Sequence, residues 1–314
     1  MSSSPAIDGV LVQWGERLFY PGNRIVKSRT PRLGPFSSKA QAIRSRIEST
    51  VRRAPQVMVK VTGGGRGMKA IAAHLRYISK NGQLQIEDDR GVVEQGRDVL
   101  KDIERQWQYG GACIDDIGHR HEAFNVMLSM PKGTDPLTLQ KAAREFAKIE
   151  FADHRYVMVL HTHQANPHVH LSVKAESKHG ERLNPRKADL HRWRETFAEQ
   201  LRERGIDAEA TRQAVRGAVR NYPDLWRKKA AEEGRVRARR PERKDGQAVL
   251  ASRTNAAQAW ANIAVALGAS PDPKDKRLAL DIERFVTGRN LERAAVKEPT
   301  RLPREPQRDI GRSR

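Results

Sequence analysis

Four histidines fall within ten residues of this sequence, in the stretch HTHQANPHVH from His161 to His170. Apolar and β-branched residues flank them over 156–163 and 168–175, and the QANP segment between has the composition of a loop. The pattern predicts two antiparallel strands joined by a four-residue loop. In that hairpin His163 would face His168, His161 would face His170, and side chains two apart would share a face. All four imidazoles are therefore expected to converge.

Converging imidazoles indicate a metal site. Neutral imidazole is the commonest protein ligand for divalent ions, and a cluster without thiolates leaves coordination positions open for a substrate oxygen. The alternative is a set of exposed strand histidines, which suits one or two residues better than four on one face. The other histidines are isolated, and we assign them surface or packing roles: His74, His119, His121, His154, His179 and His191.

The charge balance favours a polyanionic partner, with nucleic acid first. Lys and Arg total 59 against 38 Asp and Glu, which gives a formal charge of +21. A hydrophobic share of 38% is low for a globular chain, so tails or exposed helices are expected. The single cysteine, Cys113, excludes a disulfide scaffold and a zinc finger. With neither a signal peptide nor a membrane-spanning run, we expect a cytoplasmic protein without membrane insertion.

Strand and helix patterns alternate in the middle of the chain. A β-branched strand over 56–62 is followed by a glycine-rich turn over 63–67 and by a helix that stops at Asn81 and Gly82. The stripe Ile71, Leu75 and Ile78 would be buried, which leaves Tyr77 at the edge of the core. The further pattern predicts helices over 98–108, 136–150 and 185–204 and a strand over 122–130.

The flanking segments differ in composition from this middle region. Residues 1–54 form a basic arm, partly disordered, in which only 38–51 has a helical pattern. We assign 55–206 to the main domain, 207–296 to a helical appendage with helices around 209–233, 247–267 and 276–286, and 297–314 to a basic disordered tail.

Two motifs together resemble the plasmid mobilisation relaxases of the MobP type, within the HUH endonuclease superfamily. The first is HLRYISKNG, which contains Tyr77 and follows a strand, and the second is His161 with the downstream NPHVH. The resemblance covers about residues 56–206, and it implies an α+β fold with an antiparallel sheet flanked by helices. It also implies that Tyr77 attacks a DNA phosphodiester and that His161, His168 and His170 hold a divalent ion, Mg²⁺ or Mn²⁺. His163, a catalytic candidate, stands where many relatives have Asp. Its role therefore remains open among a fourth ligand, a residue that orients a ligand and a proton acceptor.

The implied reaction fits the residues. Phenols are weak nucleophiles at neutral pH, so the attack needs a base or a nearby cation. The 3′-oxygen would leave while the 5′-phosphate stays esterified to Tyr77, and the retained bond energy allows later religation. Basic residues after the second strand are candidates to follow the DNA backbone, with a solvated charged face as the alternative: Lys174, Lys178, Arg182, Arg186 and Lys187.

The sequence therefore predicts a metal-dependent relaxase that nicks one strand at a plasmid transfer origin, in its single-stranded nic region, for conjugative mobilisation. The resemblance adds relaxosome accessory proteins and a type IV secretion coupling protein as partners, with export of the bacterial protein on its DNA. One alternative is a rolling-circle replication initiator, for which a second tyrosine near Tyr77 would be expected. Another is a non-catalytic, basic DNA-binding accessory protein.

Overall fold

The computed structural model describes residues 5–19, 36–217, 220–221, 230–237, 242–243 and 246–295. They divide into two units, one spanning 52–211 and the other combining 1–51 with 212–314. In chain order the helices are α1 (Pro5–Phe19), α2 (Phe36–Val51), α3 (Met68–Ile78), α4 (Arg97–Tyr109), α5 (Pro136–Glu150), α6 (Lys187–Arg202), α7 (Gln247–Gly268) and α8 (Pro273–Ala295). The strands are β1 (Met58–Gly65), β2 (Ile86–Asp88), β3 (Val93–Glu94), β4 (Ala123–Ser129), β5 (His154–His161), β6 (His168–Ser177), β7 (Arg220–Asn221) and β8 (Glu242–Arg243).

The unit spanning 52–211 is built on a six-stranded antiparallel sheet in the order β1-β4-β6-β5-β2-β3. β6 is therefore interior and hydrogen-bonds to β4 on one side and β5 on the other. Helices cover both faces of this sheet. The predicted α+β fold, an antiparallel sheet flanked by helices, is confirmed.

Alternation along β5 separates the two faces. Val157 and Val159 pack with α3 and α4 in one core, whereas Tyr156 and Met158 pack with α5 and α6 in the other. The predicted stripe of α3 is buried as expected, with Ile71, Leu75 and Ile78 all in the first core. This docking fixes which side chains of α3 remain at the surface.

The second unit has its own core, to which α1, α2, α7 and α8 contribute. At its centre the buried Arg44 guanidinium pairs with Asp8 of α1 at 2.9 Å and with Asp275 of α8 at 2.9 Å. Residues 1–54 and 207–296, which the sequence analysis separates, thus supply helices to one core. The first helix, α1, was not predicted at all, because Gly9 and Gly15 lower its intrinsic helix propensity.

Two further predictions differ from the structure. β1 continues through Gly65 instead of turning at Gly63, because Gly63 to Gly65 pair with Asn125 to Ala123 of β4. Residues 209–217, expected to start a helix, form a short bridge and turns. The short strands β2 and β3 were not foreseen, and the tail 297–314 lies outside the described residues.

Among the residues that the structure describes, no helix is both long and apolar enough to cross a bilayer.

Candidate active site

The β5–β6 hairpin brings three histidines together on the sheet face covered by α3. His161 at the end of β5 pairs with His168 at the start of β6, and His170 follows two residues later on the same face. One ring nitrogen from each residue lies within 4.8 Å of the other two. All three residues are buried, so the cluster is held by the sheet and not by solvent-exposed loops.

The register of this hairpin differs from the prediction. His161 pairs with His168, and His170 pairs with Val159, so the connecting loop is 162–167 and has six residues instead of four. The shift of two residues preserves which face each side chain occupies, because strand side chains alternate with a period of two. His163 consequently lies exposed in the loop, with its ring centroid 5.0 Å from that of His161.

Hydrogen bonds determine which nitrogens of the cluster are available. His161 Nε2 lies 2.6 Å from the Ile78 carbonyl oxygen, and His168 Nδ1 lies 3.0 Å from the Asn166 carbonyl oxygen. A carbonyl can only accept, so both nitrogens carry hydrogen, and His161 Nδ1 and His168 Nε2 keep their lone pairs. His170 Nδ1 is buried without a hydrogen-bond partner. Metal-binding histidines commonly donate their second ring N–H to a carbonyl in this way.

Burial lowers the pKa values of two of the three triad rings. Burial, together with His161 and His168, lowers the pKa of His170 to about 3. Burial also lowers the pKa of His161. Desolvation and the nearby Lys80 ammonium lower the pKa of His163. Neutral imidazoles have free lone pairs, so these shifts favour in His161 and His170 the protonation state that a divalent ion requires.

Tyr77 lines the same cleft as the histidines. The side of α3 that carries it faces away from the core, and the residue is 70% exposed. The cleft has a volume of about 370 Å³, and its walls include Tyr77, Lys80, His161, His163 and His170. The structure therefore brings the predicted nucleophile and the predicted ligands to one open site, although the two come from segments far apart in the sequence.

Sequence reasoning missed His74, which it assigned a surface or packing role. The His74 ring centroid lies 6.3 Å from that of Tyr77 and 6.4 Å from that of His170. The imidazole is therefore close both to the candidate nucleophile and to the β5–β6 hairpin. Its Nε2 is buried without a hydrogen-bond partner, and burial lowers its pKa. The spacing of three residues to Tyr77 on a helix was the available signal.

Lys174, a predicted DNA contact, is buried in the sheet. Its ammonium donates hydrogen bonds to the carbonyls of Trp107 at 3.2 Å and Gly110 at 3.3 Å. Since these bonds and the burial remove it from the surface, we withdraw Lys174 from the candidate DNA contacts. Lys174 is buried because side chains alternate along β6, so that position 174 points to the same covered face of the sheet as His168 and His170.

The other predicted contacts are accessible to different degrees. Arg182 is held by Glu122 at 3.2 Å and Glu176 at 3.5 Å, and Lys178 pairs with Asp89 at 3.6 Å. These carboxylates offset the charge that either residue could offer to a phosphate. The exposed residues Arg186 and Lys187 lie where α6 begins.

Comparison with known proteins agrees with this geometry. Residues 77–206 match the family described as "Relaxase: MobA/VirD2-like, nuclease domain". The chain is also 24% identical over 182 residues to the T-DNA border endonuclease VirD2 of Rhizobium radiobacter, a match that covers 52% of this chain and 43% of that protein. The chain thus matches less than half the length of this relative. The resemblance to relaxases is confirmed at the level of this match: residues 77–206 are similar to the MobA/VirD2-like relaxase nuclease family.

Proposed function

We propose that this protein is a metal-dependent relaxase that nicks one DNA strand through Tyr77 and rejoins it later. One observation carries the proposal: the exposed Tyr77 lines the same open cleft as two members of a buried triad, His161, His168 and His170. A nucleophile beside a metal site is what phosphodiester cleavage by covalent catalysis requires. The family match supports DNA nicking in general, and the mechanism is our inference.

The chemistry of the cleft favours an anionic substrate. Its described lining contains three histidines and two cations, Arg76 and Lys80, and no carboxylate. A site of this composition carries net positive charge once a divalent ion is bound, so a phosphodiester is the complementary ligand.

In the proposed reaction the oxygen of Tyr77 attacks the scissile phosphorus. The P–O3′ bond breaks, the 3′-oxygen takes up the proton released from the phenol and leaves as a hydroxyl, and the 5′-phosphate remains esterified to the tyrosine. We assign His163 as the acceptor of the phenolic proton, because its pKa is lowered and its ring is exposed in the cleft. Reversal of the same steps by an incoming 3′-hydroxyl rejoins the strand without external energy.

His161, His168 and His170 would hold the ion through ring nitrogens. A bound divalent ion neutralises charge on the phosphate and polarises its P–O bonds. Of the two ions predicted, Mn²⁺ fits this donor set better than Mg²⁺, because Mg²⁺ prefers oxygen ligands and the triad offers only nitrogen.

The wider biological role follows from the resemblance. We propose the single-stranded nic region of a plasmid transfer origin as the substrate, with Arg186 and Lys187 as contacts to the DNA backbone. Relaxosome accessory proteins, a type IV secretion coupling protein and export with the DNA complete this proposal for a cytoplasmic bacterial enzyme. The relative from Rhizobium radiobacter is named as an endonuclease of T-DNA borders.

Adduct capture tests the function and identifies the nic sequence in the same experiment. The full chain is incubated with Mn²⁺ and single-stranded oligonucleotides of randomised sequence, denatured, and isolated, and the attached DNA is sequenced. We expect a denaturation-resistant adduct with one enriched sequence, which Tyr77→Phe abolishes while DNA binding persists. Tyr109→Phe is the matched control, because Tyr109 is 67% exposed and does not line the cleft.

The outcomes separate the alternatives. An adduct that survives in the Tyr77→Phe variant would contradict the assignment of the nucleophile. DNA binding that is equal with and without Mn²⁺, with no adduct under any condition, would favour the non-catalytic accessory protein. Two separate tyrosyl attachment sites would favour a rolling-circle initiator.

A further inference from the structure

Lys80 is a cation of the cleft that the sequence analysis did not single out. It follows α3 by two residues and lines the cleft together with Tyr77, His161 and His163. Lys80 therefore shares one cleft with the candidate nucleophile and with two of the candidate metal ligands.

The backbone around Lys80 fixes the direction of the chain after α3. Lys80 has φ 50° and Asn81 has φ 58°, both in the left-handed region that non-glycine residues rarely adopt. The buried Ser79 hydroxyl stabilises this turn by donating to the Leu75 carbonyl at 2.8 Å and accepting from the Gly82 N–H at 3.0 Å. The turn is thus held by the helix end and not by a partner of Lys80.

The charge of Lys80 is uncompensated within the described residues. Arg76, the other cation of the cleft, pairs with Glu104 at 3.2 Å. Lys80 has no carboxylate within ion-pair distance in the part of the chain that the structure describes, and the cleft lining there contains none. A lysine beside a candidate metal site, without a counterion among the residues that the structure describes, is suited to an anionic ligand.

We propose that Lys80 binds the phosphate on which Tyr77 acts, donating from its ammonium to a non-bridging oxygen. This inference rests on the proposed function and extends it by assigning the residue that offsets the negative charge of the five-coordinate phosphorus. Tyr77 and Lys80 are three residues apart, so the nucleophile and this cation are presented by the same helix end. A donor that binds more strongly as charge develops lowers the barrier to the reaction.

The test compares Lys80→Met, Lys80→Arg and Lys141→Met in the full chain. Methionine preserves an unbranched stem and removes the charge, and arginine restores the charge. Lys141 is the matched control, because it is an exposed lysine on α5, which covers the opposite face of the sheet. The first measurement is the affinity for fluorescent single-stranded DNA of randomised sequence at several salt concentrations without metal. The second is the single-turnover cleavage rate at saturating enzyme with Mn²⁺, using the sequence recovered by adduct capture.

We expect Lys80→Met to reduce the slope of log affinity against log salt by about 0.7, which corresponds to one lost phosphate contact. The cleavage rate of the saturated complex should fall roughly 10²-fold. Lys80→Arg should recover the slope and most of the rate, whereas Lys141→Met should match the wild type in both measurements.

Two results would overturn the role of Lys80 while leaving the proposed function intact. One is a Lys80→Met variant that cleaves and binds like the wild type, and the other is an equal loss in Lys141→Met, which would indicate a general effect of charge. If the wild type forms no adduct, the proposed function fails, and the salt dependence of DNA binding alone tests whether Lys80 contacts a phosphate. An unchanged slope in Lys80→Met would then rule out this contact.

Discussion

The three triad histidines differ in the hydrogen bonds that their rings make to the protein backbone. His161 and His168 each donate a hydrogen bond to a backbone carbonyl, whereas the buried Nδ1 of His170 has no such bond. Removal of His161 therefore breaks a contact with α3 as well as removing a nitrogen. His168 and His170 give the cleaner measure of metal binding.

His168→Ala and His170→Ala should each lower the affinity for Mn²⁺ by more than about 10-fold, as expected when one of few ligands is lost. Calorimetric titration of the full chain measures this. His179→Ala is the control, because His179 is exposed and lies outside the triad.

His163→Ala should weaken Mn²⁺ binding less than His168→Ala does, since His163 lies in the exposed loop. An equal loss would make His163 a fourth ligand. Unchanged affinity in both His168→Ala and His170→Ala would show that the triad does not bind the ion.

At the scale of elements, local pattern predicted most of the unit spanning 52–211, including the buried stripe of α3 and the strands that carry the histidines. The loop of the hairpin was not predictable, because contacts with β4 and the segment after it determine its length. Asn166 Oδ1 accepts from the Lys132 N–H at 3.0 Å, and the Pro167 carbonyl accepts from the Ser129 hydroxyl at 3.1 Å. A two-residue error in register left the faces correct, so the triad could be predicted although the pairing was wrong.

Lys80 and His74 could not be recognised in the same way. Lys80 contributes through the left-handed turn that follows α3, and His74 through the packing of α3 against the hairpin. The three-residue spacing places His74 next to Tyr77 on the helix, but the approach of His74 and Lys80 to the hairpin depends on tertiary geometry that this spacing does not contain.

Gly65→Ala tests how α3 is held against the sheet. A Cβ at position 65 would overlap Ile71 Cγ1, and Ile71 belongs to the buried stripe of α3. We expect a loss of about 1–3 kcal/mol from this overpacking. Hydrogen-exchange mass spectrometry should show it as lower protection of the peptides that cover α3.

Gly246→Ala is the control for Gly65→Ala, because a Cβ there meets nothing within 4 Å. Full retention of α3 protection in Gly65→Ala would show that the helix can shift to accept the methyl group without cost.

At the scale of the whole molecule, the two units have separate hydrophobic cores. Arg44→Met tests whether they also unfold separately. This change leaves Asp8 and Asp275 buried without their guanidinium partner. It should destabilise the unit that contains α1, α2, α7 and α8 by about 3–5 kcal/mol. Exchange protection should fall in α1, α2, α7 and α8 and stay constant in the six-stranded sheet.

Arg284→Met provides the matched control, because Arg284 is 80% exposed and its pairing with Asp281 at 3.6 Å belongs to the same unit. An exposed pair contributes at most about 1 kcal/mol. If Arg44→Met lowers protection equally in the sheet, the units form one cooperative body instead.

The interior position of β6 makes the two halves of the candidate active site unequal in stiffness. His168 and His170 lie on a strand whose backbone is bonded on both sides, so displacing them requires opening two ladders. Tyr77 lies near the end of α3, which belongs to no strand ladder and packs on the sheet through its buried stripe, with the Ile78 carbonyl accepting a hydrogen bond from His161. In the proposed cycle of cutting and rejoining, we therefore expect the adjustment that admits and releases a DNA end to fall on the proposed nucleophile, while the three histidines keep their positions.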